Sequence, residues 1–212
     1  VTRSRSAEHA LVYGRLALYL RPRFPLAKVM VAGILESMGR YDEAMAVYDS
    51  IDRTSSVYLS ARLRKASALE SQGRIEAAIV ELTRMAEENA ARSDALITLA
   101  DMLRGEKRYE ESVAIYSSAV KRIGELKKRH WSLLYARGIS FERSKKWQRA
   151  EEDFLQALKL SPDQPYVPNY LVYSWVHQGI HLKRARKMTE RADKPRPNCR
   201  YSAHRRSWLP PR

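Results

Sequence analysis

The sequence has little of what several common protein classes require. It contains one cysteine, Cys199, which excludes an internal disulfide and a zinc site built from several cysteines. Eight glycines and nine prolines among 212 residues are too few for a turn-rich β fold. The longest apolar runs, such as 171–176, are far shorter than the ~20 residues that a membrane-spanning helix needs. We therefore expect a helical chain with a sizeable core and no transmembrane segment.

Acidic residues are scarce only at the two ends of the chain. The net charge is +15, but residues 183–212 carry eleven lysines and arginines against two acids, and residues 1–24 carry five arginines against Glu8. The middle of the chain is therefore close to neutral. Any binding of nucleic acid or of an anionic membrane surface would have to rest on the basic termini.

A short segment recurs along the chain at a spacing of 34 residues. It occupies 39–44, 73–78 and 107–112, returns at 145–150 after 38 residues, and begins a fifth time at Gly179. Apolar residues between these segments recur every three or four positions, which indicates amphipathic helices. Each unit is thus predicted to be a pair of antiparallel helices, and the pairs must stack to bury their apolar faces.

Small and large residues repeat in step with this spacing. Three columns carry the pattern: small residues in the first helix (Ala32, Ala66, Ala100, Gly138), small residues in the second helix (Ala44, Ala78, Ser112, Ala150), and large residues one turn later (Tyr48, Leu82, Tyr116, Phe154). The small residues should let the two helices approach closely, and the large ones should fill the space beside them.

The period, the small-residue columns, the turn glycine and the closing Pro162 and Pro197 resemble the tetratricopeptide repeat. The amino-acid sequences of segments such as 18–22 and 34–41 are similar to those of alphaproteobacterial proteins of this class. The resemblance implies an all-α, right-handed α-solenoid of about eleven helices, acting as a protein-binding scaffold. It predicts five repeats at 25–58, 59–92, 93–126, 131–164 and 165–197, preceded by the second helix of an incomplete repeat at 1–24.

Both ends resemble cut ends of a longer repeat protein. Residues 8–20 form a helix whose apolar face lacks a partner, so this helix could face a partner protein or support an oligomer. Residues 198–212 have no helical period and read like arginine- and proline-rich sequence translated out of frame. The alternatives are a genuine basic tail that binds RNA or anionic lipid, and a remnant without independent function.

No set of residues indicates catalysis, a metal site or a cofactor. His177 and His181 are four residues apart, but Gly179 between them marks a turn, so we expect solvated side chains rather than metal ligands. Acidic clusters at 110–111 and 151–153 begin second helices, where carboxylates favour the helix dipole and are expected to face water. We therefore predict a protein that is not an enzyme.

The resemblance implies a concave groove lined by the first helix of each repeat. Val29, Leu63, Ile97 and Tyr135 share one column and should form an apolar strip, although each could equally serve packing between repeats. Tyr135, Tyr166 and Tyr173 are the strongest candidates for partner contact. The full predicted groove set is Val29, Glu36, Leu63, Glu70, Ile97, Asp101, Arg104, Tyr135, Glu142, Tyr166, Asn169 and Tyr173.

The expected partner is a protein or peptide. The residues that clamp a C-terminal carboxylate in some relatives are absent from these columns, so that mode is not expected here. The default expectation for the compartment is the cytoplasm. A periplasmic or membrane-associated location is the alternative if the natural N-terminus is missing.

Overall fold

The computed structural model describes residues 2–192, and it describes side chains from Ser6 to Thr189. This part of the chain contains eleven α-helices and no strand. They are α1 (Thr2–Leu20), α2 (Pro25–Ser37), α3 (Tyr41–Asp49), α4 (Tyr58–Ser71), α5 (Ile75–Glu88), α6 (Asp94–Gly105), α7 (Tyr109–Ile123), α8 (Trp131–Arg143), α9 (Trp147–Leu160), α10 (Tyr166–Gln178) and α11 (Leu182–Ala192).

Each helix packs against the helices before and after it in sequence. Five tight pairs (α2 with α3, α4 with α5, α6 with α7, α8 with α9, α10 with α11) are joined by contacts of each second helix with the next first helix. An arrangement in which every unit contacts only its neighbours is an α-solenoid. The predicted all-α solenoid of about eleven helices is therefore confirmed.

The core follows the predicted columns. The alanines of both small-residue columns are fully buried, and so are Leu82, Tyr116 and Phe154 in the large-residue column. Gly138 stands in the small-residue column where Phe154 fills the space: a Cβ placed on Gly138 would lie 2.6 Å from Cε1 of the Phe154 ring. Close approach of the paired helices thus depends on matched residue sizes across the pair.

The turns within the helix pairs require a left-handed residue. Gly39 and Gly73 have φ values of 73° in their turns, a conformation that glycine adopts without a Cβ clash. In the next two turns Lys107 and Lys145 adopt the same region, at 61° and 60°. The repeat geometry therefore imposes this conformation even where the sequence supplies no glycine.

The extra residues of the fourth unit form a connection between α7 and α8. Gly124 ends α7 with a φ of 69°, and a 3₁₀ turn at Lys128–His130 leads into α8. The backbone N–H of Lys127 donates to Nδ1 of His130 over 2.9 Å. A longer spacing between units is thus absorbed outside the helices.

The two ends differ in how far they can be described. α1 packs along α2, where Gly14 allows Val31 to approach so closely that a Cβ on Gly14 would lie 2.6 Å from Cγ2 of Val31. Cys199 and the predicted irregular tail at 198–212 lie outside the described residues. Within residues 2–192, no helix is long and apolar enough to cross a membrane.

Candidate functional site

The predicted groove residues lie on the first helices of the pairs. α4 contacts α6, and α6 contacts α8, so successive first helices stand side by side along one face of the solenoid. All twelve predicted residues keep part of their surface accessible to solvent, and none is buried. The buried residues of the same helices, such as Leu99 and Leu134, point to the core instead.

The predicted apolar strip is half-buried rather than fully open. Val29 packs against the core cluster at the N-terminal end of the solenoid, Leu63 and Ile97 pack against the central cluster, and Tyr135 packs against the C-terminal one. These four residues therefore contribute to packing and also leave an apolar edge at the surface.

Aromatic side chains gather on α8 and α10. The Trp131 and Tyr166 rings stack with centroids 6.4 Å apart and an interplanar angle of 3°, and the Tyr135 and Tyr170 rings meet edge-on at 5.8 Å. Tyr166 is 52% exposed and Tyr173 is 50% exposed, although both are large side chains. We call these five residues the aromatic patch.

Sequence reasoning missed Trp131 and Tyr170. Trp131 lies four residues before Tyr135, and Tyr170 lies four residues after Tyr166, which is the spacing that places side chains on one face of a helix. That spacing gives their face of the helix, but not their ring partners, which lie on the neighbouring first helix. The predicted Asn169 is exposed on α10 between Tyr166 and Tyr173.

Hydrogen bonds hold the aromatic patch in place. The Tyr170 hydroxyl donates to Oε2 of Glu142 over 2.9 Å, and burial together with this carboxylate raises the pKa of Tyr170. The hydroxyl is therefore protonated near neutral pH and remains a donor. At the start of α10, Oε1 of Gln164 accepts from the backbone N–H groups of Tyr166 and Val167 over 2.8 and 3.0 Å. This contact caps the helix that carries Tyr166 and Tyr173.

The N-terminal part of the same face is charged. The hydroxyl of Tyr116 on α7 donates to Oδ1 of Asp101 on α6 over 2.6 Å, and Arg104 of α6 donates to Tyr116 and Asp101 over 3.3 and 3.2 Å. Burial and the nearby Asp101 raise the pKa of Tyr116, which keeps the hydroxyl protonated. With Glu36 and Glu70 on the preceding first helices, Asp101 and Arg104 form what we call the charged patch.

The structure corrects one expectation about the acidic clusters. Glu110, Glu111 and Glu152 are exposed as predicted. Glu151 is instead half-buried, and its Oε1 accepts from Nε1 of Trp175 over 2.7 Å. Asp153 is only 4% exposed and forms a two-pronged ion pair with Arg137, at 2.7 and 2.6 Å. The reason is its place in the helix: Asp153 lies on the side of α9 that faces α8. Burial raises the pKa of Asp153, and Arg137 opposes that shift.

His177 and His181 lie at the turn between α10 and α11. His177 is near the Tyr173 ring, whereas Nε2 of His181 is 3.5 Å from Oε1 of Glu151. Gly179 between them has a φ of 68° and ends α10. Among residues 2–192, no three side chains of the kinds that bind metal converge on one point.

Comparison with known proteins gives a consistent family. The tetratricopeptide repeat family matches residues 63–125 and again residues 131–164. No curated protein sequence matches the chain significantly.

Several solved structures share the fold. BtubC from P. vanneervenii superposes with a TM-score of 0.65 at 16% identity, and 94% of each chain is covered. MamA from Desulfovibrio magneticus RS-1 gives 0.57 at 21% identity, covering 77% of this chain and 90% of MamA. YrrB, described as a TPR protein with an unusual peptide-binding site, gives 0.53 at 17% identity, covering 77% of this chain and 82% of YrrB.

Repeats of this family generally serve as non-catalytic scaffolds for protein–protein interaction. The paired helices, the buried small-residue columns and the two family matches lead to the same conclusion: the chain contains tetratricopeptide repeats, at residues 63–125 and 131–164, within an α-solenoid fold.

Proposed function

We propose that the protein is a scaffold that binds a peptide segment of a partner protein along the row of first helices. The observation that carries this proposal is the aromatic patch, where the half-exposed Tyr166 stacks on Trp131 and the half-exposed Tyr173 lies seven residues further along the same helix. Exposed tyrosine and tryptophan side chains dominate protein interfaces because they offer a large contact area at little cost in side-chain entropy.

The aromatic patch is also pre-organised for binding. Trp131 supports Tyr166 by stacking, and Glu142 fixes the Tyr170 hydroxyl. Because these contacts exist before a partner arrives, binding would cost less conformational entropy than it would for mobile side chains. The aromatic patch would therefore supply most of the affinity, and apolar or aromatic side chains of the peptide would contact it.

The charged patch would set the orientation of the peptide. Asp101 is exposed and is held by Tyr116 and Arg104, so its carboxylate stands at a fixed place beside the half-buried Ile97. Charged groups arranged in this way contribute specificity and register more than affinity. The similar structure of YrrB, which is described as having a peptide-binding site, supports the same use of this fold.

Selection of binding peptides, followed by comparison of the wild type with a variant of the aromatic patch, is the direct test. A random peptide library is selected on the full chain, and the affinities of the selected peptides are measured by calorimetry for the wild type and for the double variant Tyr166→Ala/Tyr173→Ala. Loss of two central aromatic contacts should weaken binding by about tenfold or more. Both residues are half-exposed, so the unfolding midpoint should change little.

Val80→Ser is the matched control, because Val80 is 67% exposed on the second helix α5, away from the row of first helices. The control should bind the selected peptides as the wild type does. If the selected peptides bind the double variant and the wild type equally well, the proposed site is wrong.

A further inference from the structure

α1 presents an apolar stripe to the solvent. Val12, Leu16 and Tyr19 follow one another at spacings of four and three residues, which places them on one face of the helix. They are 62%, 51% and 82% exposed, while Leu11 on the other side of α1 is buried. We call these three residues the α1 stripe.

The repeat register shows that a neighbouring repeat helix would not cover the α1 stripe. The corresponding residues of α5, α7 and α9, and of α3 with the turn that follows it, are all exposed, although each of those helices has its own first helix packed against it. They are Ala46, Val80, Ala114 and Glu152 for Val12; Ser50, Arg84, Ser118 and Gln156 for Leu16; and Arg53, Glu87, Lys121 and Lys159 for Tyr19.

Two consequences follow from this comparison. A first helix packed on α1 in the register of the other pairs would leave the α1 stripe in water, whatever sequence precedes Val1. At the column of Tyr19, α5, α7 and α9 carry charged residues, and at the column of Leu16 they carry polar or charged ones; the turn after α3 follows the same pattern. Leu16 and Tyr19 are therefore specific to α1 and do not belong to the repeat pattern, whereas the column of Val12 also holds the exposed Val80 in α5.

The surroundings of the α1 stripe are positively charged. Arg15 lies at its side but is paired with Glu43 over 3.3 Å, so the positive charge rests mainly on Arg21 and Arg23. These two exposed arginines follow the C-terminal end of the α1 stripe beside Phe24, which is 41% exposed and lines a shallow open depression. Glu8 is the one acidic residue among five arginines in residues 1–24. A second copy of the chain would bring two such positive rims together, whereas an acidic partner would complement the rim.

We propose that the α1 stripe is the docking site for an acidic amphipathic helix of a partner protein. A helix is the occupant that fits, because the α1 stripe is straight, runs along a helix axis and offers a ridge for side chains spaced at three and four residues. Its apolar side chains would contact Leu16 and Tyr19, and its flanking glutamates or aspartates would lie near Arg21 and Arg23.

The chain itself supplies the variant for the test. In Val12→Ala/Leu16→Ser/Tyr19→Lys, each new residue is one that another second helix already carries at the same column, so the fold should be retained; circular dichroism checks this. The probes are two synthetic helical peptides with the same leucine stripe, one flanked by glutamates and the other by lysines.

The glutamate-flanked peptide should bind the full chain, with an affinity that falls as salt is added. The triple variant should bind the glutamate-flanked peptide at least ~tenfold more weakly than the wild type does. The wild type should also bind the lysine-flanked peptide at least ~tenfold more weakly than the glutamate-flanked one. The groove variant Tyr166→Ala/Tyr173→Ala and the control Val80→Ser should bind the glutamate-flanked peptide normally, which separates this site from the proposed groove.

Four results would overturn the proposal. They are no binding of the glutamate-flanked peptide, equal binding of the two peptides, a dimer in sedimentation that the triple variant abolishes, and binding to phosphatidylserine–phosphatidylcholine vesicles that the triple variant abolishes. The third result would assign the α1 stripe to a second copy of the chain, and the fourth would assign it to a membrane surface.

Discussion

The two halves of the solenoid repeat the same arrangement of helix pairs, but aliphatic residues predominate in the core of one half and aromatic residues in the core of the other. The pairs from α2 to α7 are packed with alanine, leucine and methionine, and Tyr48 and Tyr116 are their large buried aromatics. The pairs from α8 to α11 are packed with Phe141, Phe154 and Trp175, with further aromatic rings around them.

The columns change together between the halves. Where Phe154 takes the large position, the small position opposite it is Gly138 instead of the alanine found in the first three pairs. Tyr116 is larger than Phe154 and stands opposite Ala100, so the summed size of the two positions is not constant. Glycine is instead required in this unit because the Phe154 ring lies where a Cβ on residue 138 would be, as expected in a close-packed interior.

The largest effect is expected from breaking the buried ion pair of the aromatic half. Asp153→Ala leaves the half-buried Arg137 guanidinium without its carboxylate, and an uncompensated buried charge typically costs about 3–5 kcal/mol. Chemical unfolding of the variant measures this loss. Glu152→Ala, next in sequence but exposed, is the control and should change the stability by less than about 0.5 kcal/mol.

The same ion pair can be replaced by the apolar residues that the preceding unit has at these positions. One unit earlier, the columns of Arg137 and Asp153 hold Leu99 and Ile115, which belong to the central apolar cluster. The double variant Arg137→Leu/Asp153→Ile should therefore recover most of the stability that Asp153→Ala loses, because apolar replacement of a whole buried ion pair is often nearly neutral. A double variant as unstable as Asp153→Ala would show that the ion pair is integral to the aromatic half.

The next effect concerns the match of Gly138 with Phe154. Gly138→Ala places a Cβ 2.6 Å from the Phe154 ring and should destabilise the protein by about 1–3 kcal/mol, as overpacking of a core does. Gly105→Ala is the matched control: no atom lies within 4 Å of the added Cβ, and alanine is the better helix former, so stability should not fall.

A double-mutant cycle shows whether the sizes are coupled. Gly138→Ala/Phe154→Leu recreates the residue pair that Ala66 and Leu82 form in α4 and α5. The double variant should be more stable than the sum of the two single changes predicts. Additive changes would show that the residues at 138 and 154 are not coupled by direct contact.

Smaller effects are expected in the turns within the helix pairs, where one substitution should stabilise the protein instead of destabilising it. Lys107 and Lys145 occupy the left-handed conformation that Gly39 and Gly73 supply in the first two turns. A side chain in the left-handed conformation destabilises the folded protein by about 1–2 kcal/mol. Glycine removes that cost, but it also raises the conformational entropy of the unfolded chain, which offsets part of the gain. Lys107→Gly should therefore stabilise the protein by about 0.5–1 kcal/mol in thermal unfolding. Gly73→Lys should destabilise it, and an unchanged midpoint in both variants would refute this account.

The repeat period alone predicted most of the fold. Helical period, the small-residue columns and the turn glycines are local signals that recur in each unit, so helix number and core columns followed from them. Asp153 and Trp131 did not follow. The burial of Asp153 depends on Arg137 sixteen residues away, and the role of Trp131 depends on the stacked Tyr166 ring of the next unit. Such pairings between helices are decided by packing, which a single sequence does not display.

The smallest effect is expected from a row of exposed ion pairs that crosses both halves. The basic residue that precedes each second helix approaches an acid of the previous unit: Arg74 with Asp42 at 3.9 Å, Arg108 with Glu76 at 2.7 Å, and Lys146 with Glu110 at 3.1 Å. All three acids are largely exposed, so water and salt screen the attraction. Glu76→Gln and Glu110→Gln should therefore leave the unfolding midpoint within experimental error at physiological salt, in the aliphatic half and at its border with the aromatic half alike. A clear loss of stability in either variant, abolished by added salt, would mean that these pairs hold neighbouring units together, and the difference between the two halves would then lie partly at their surface.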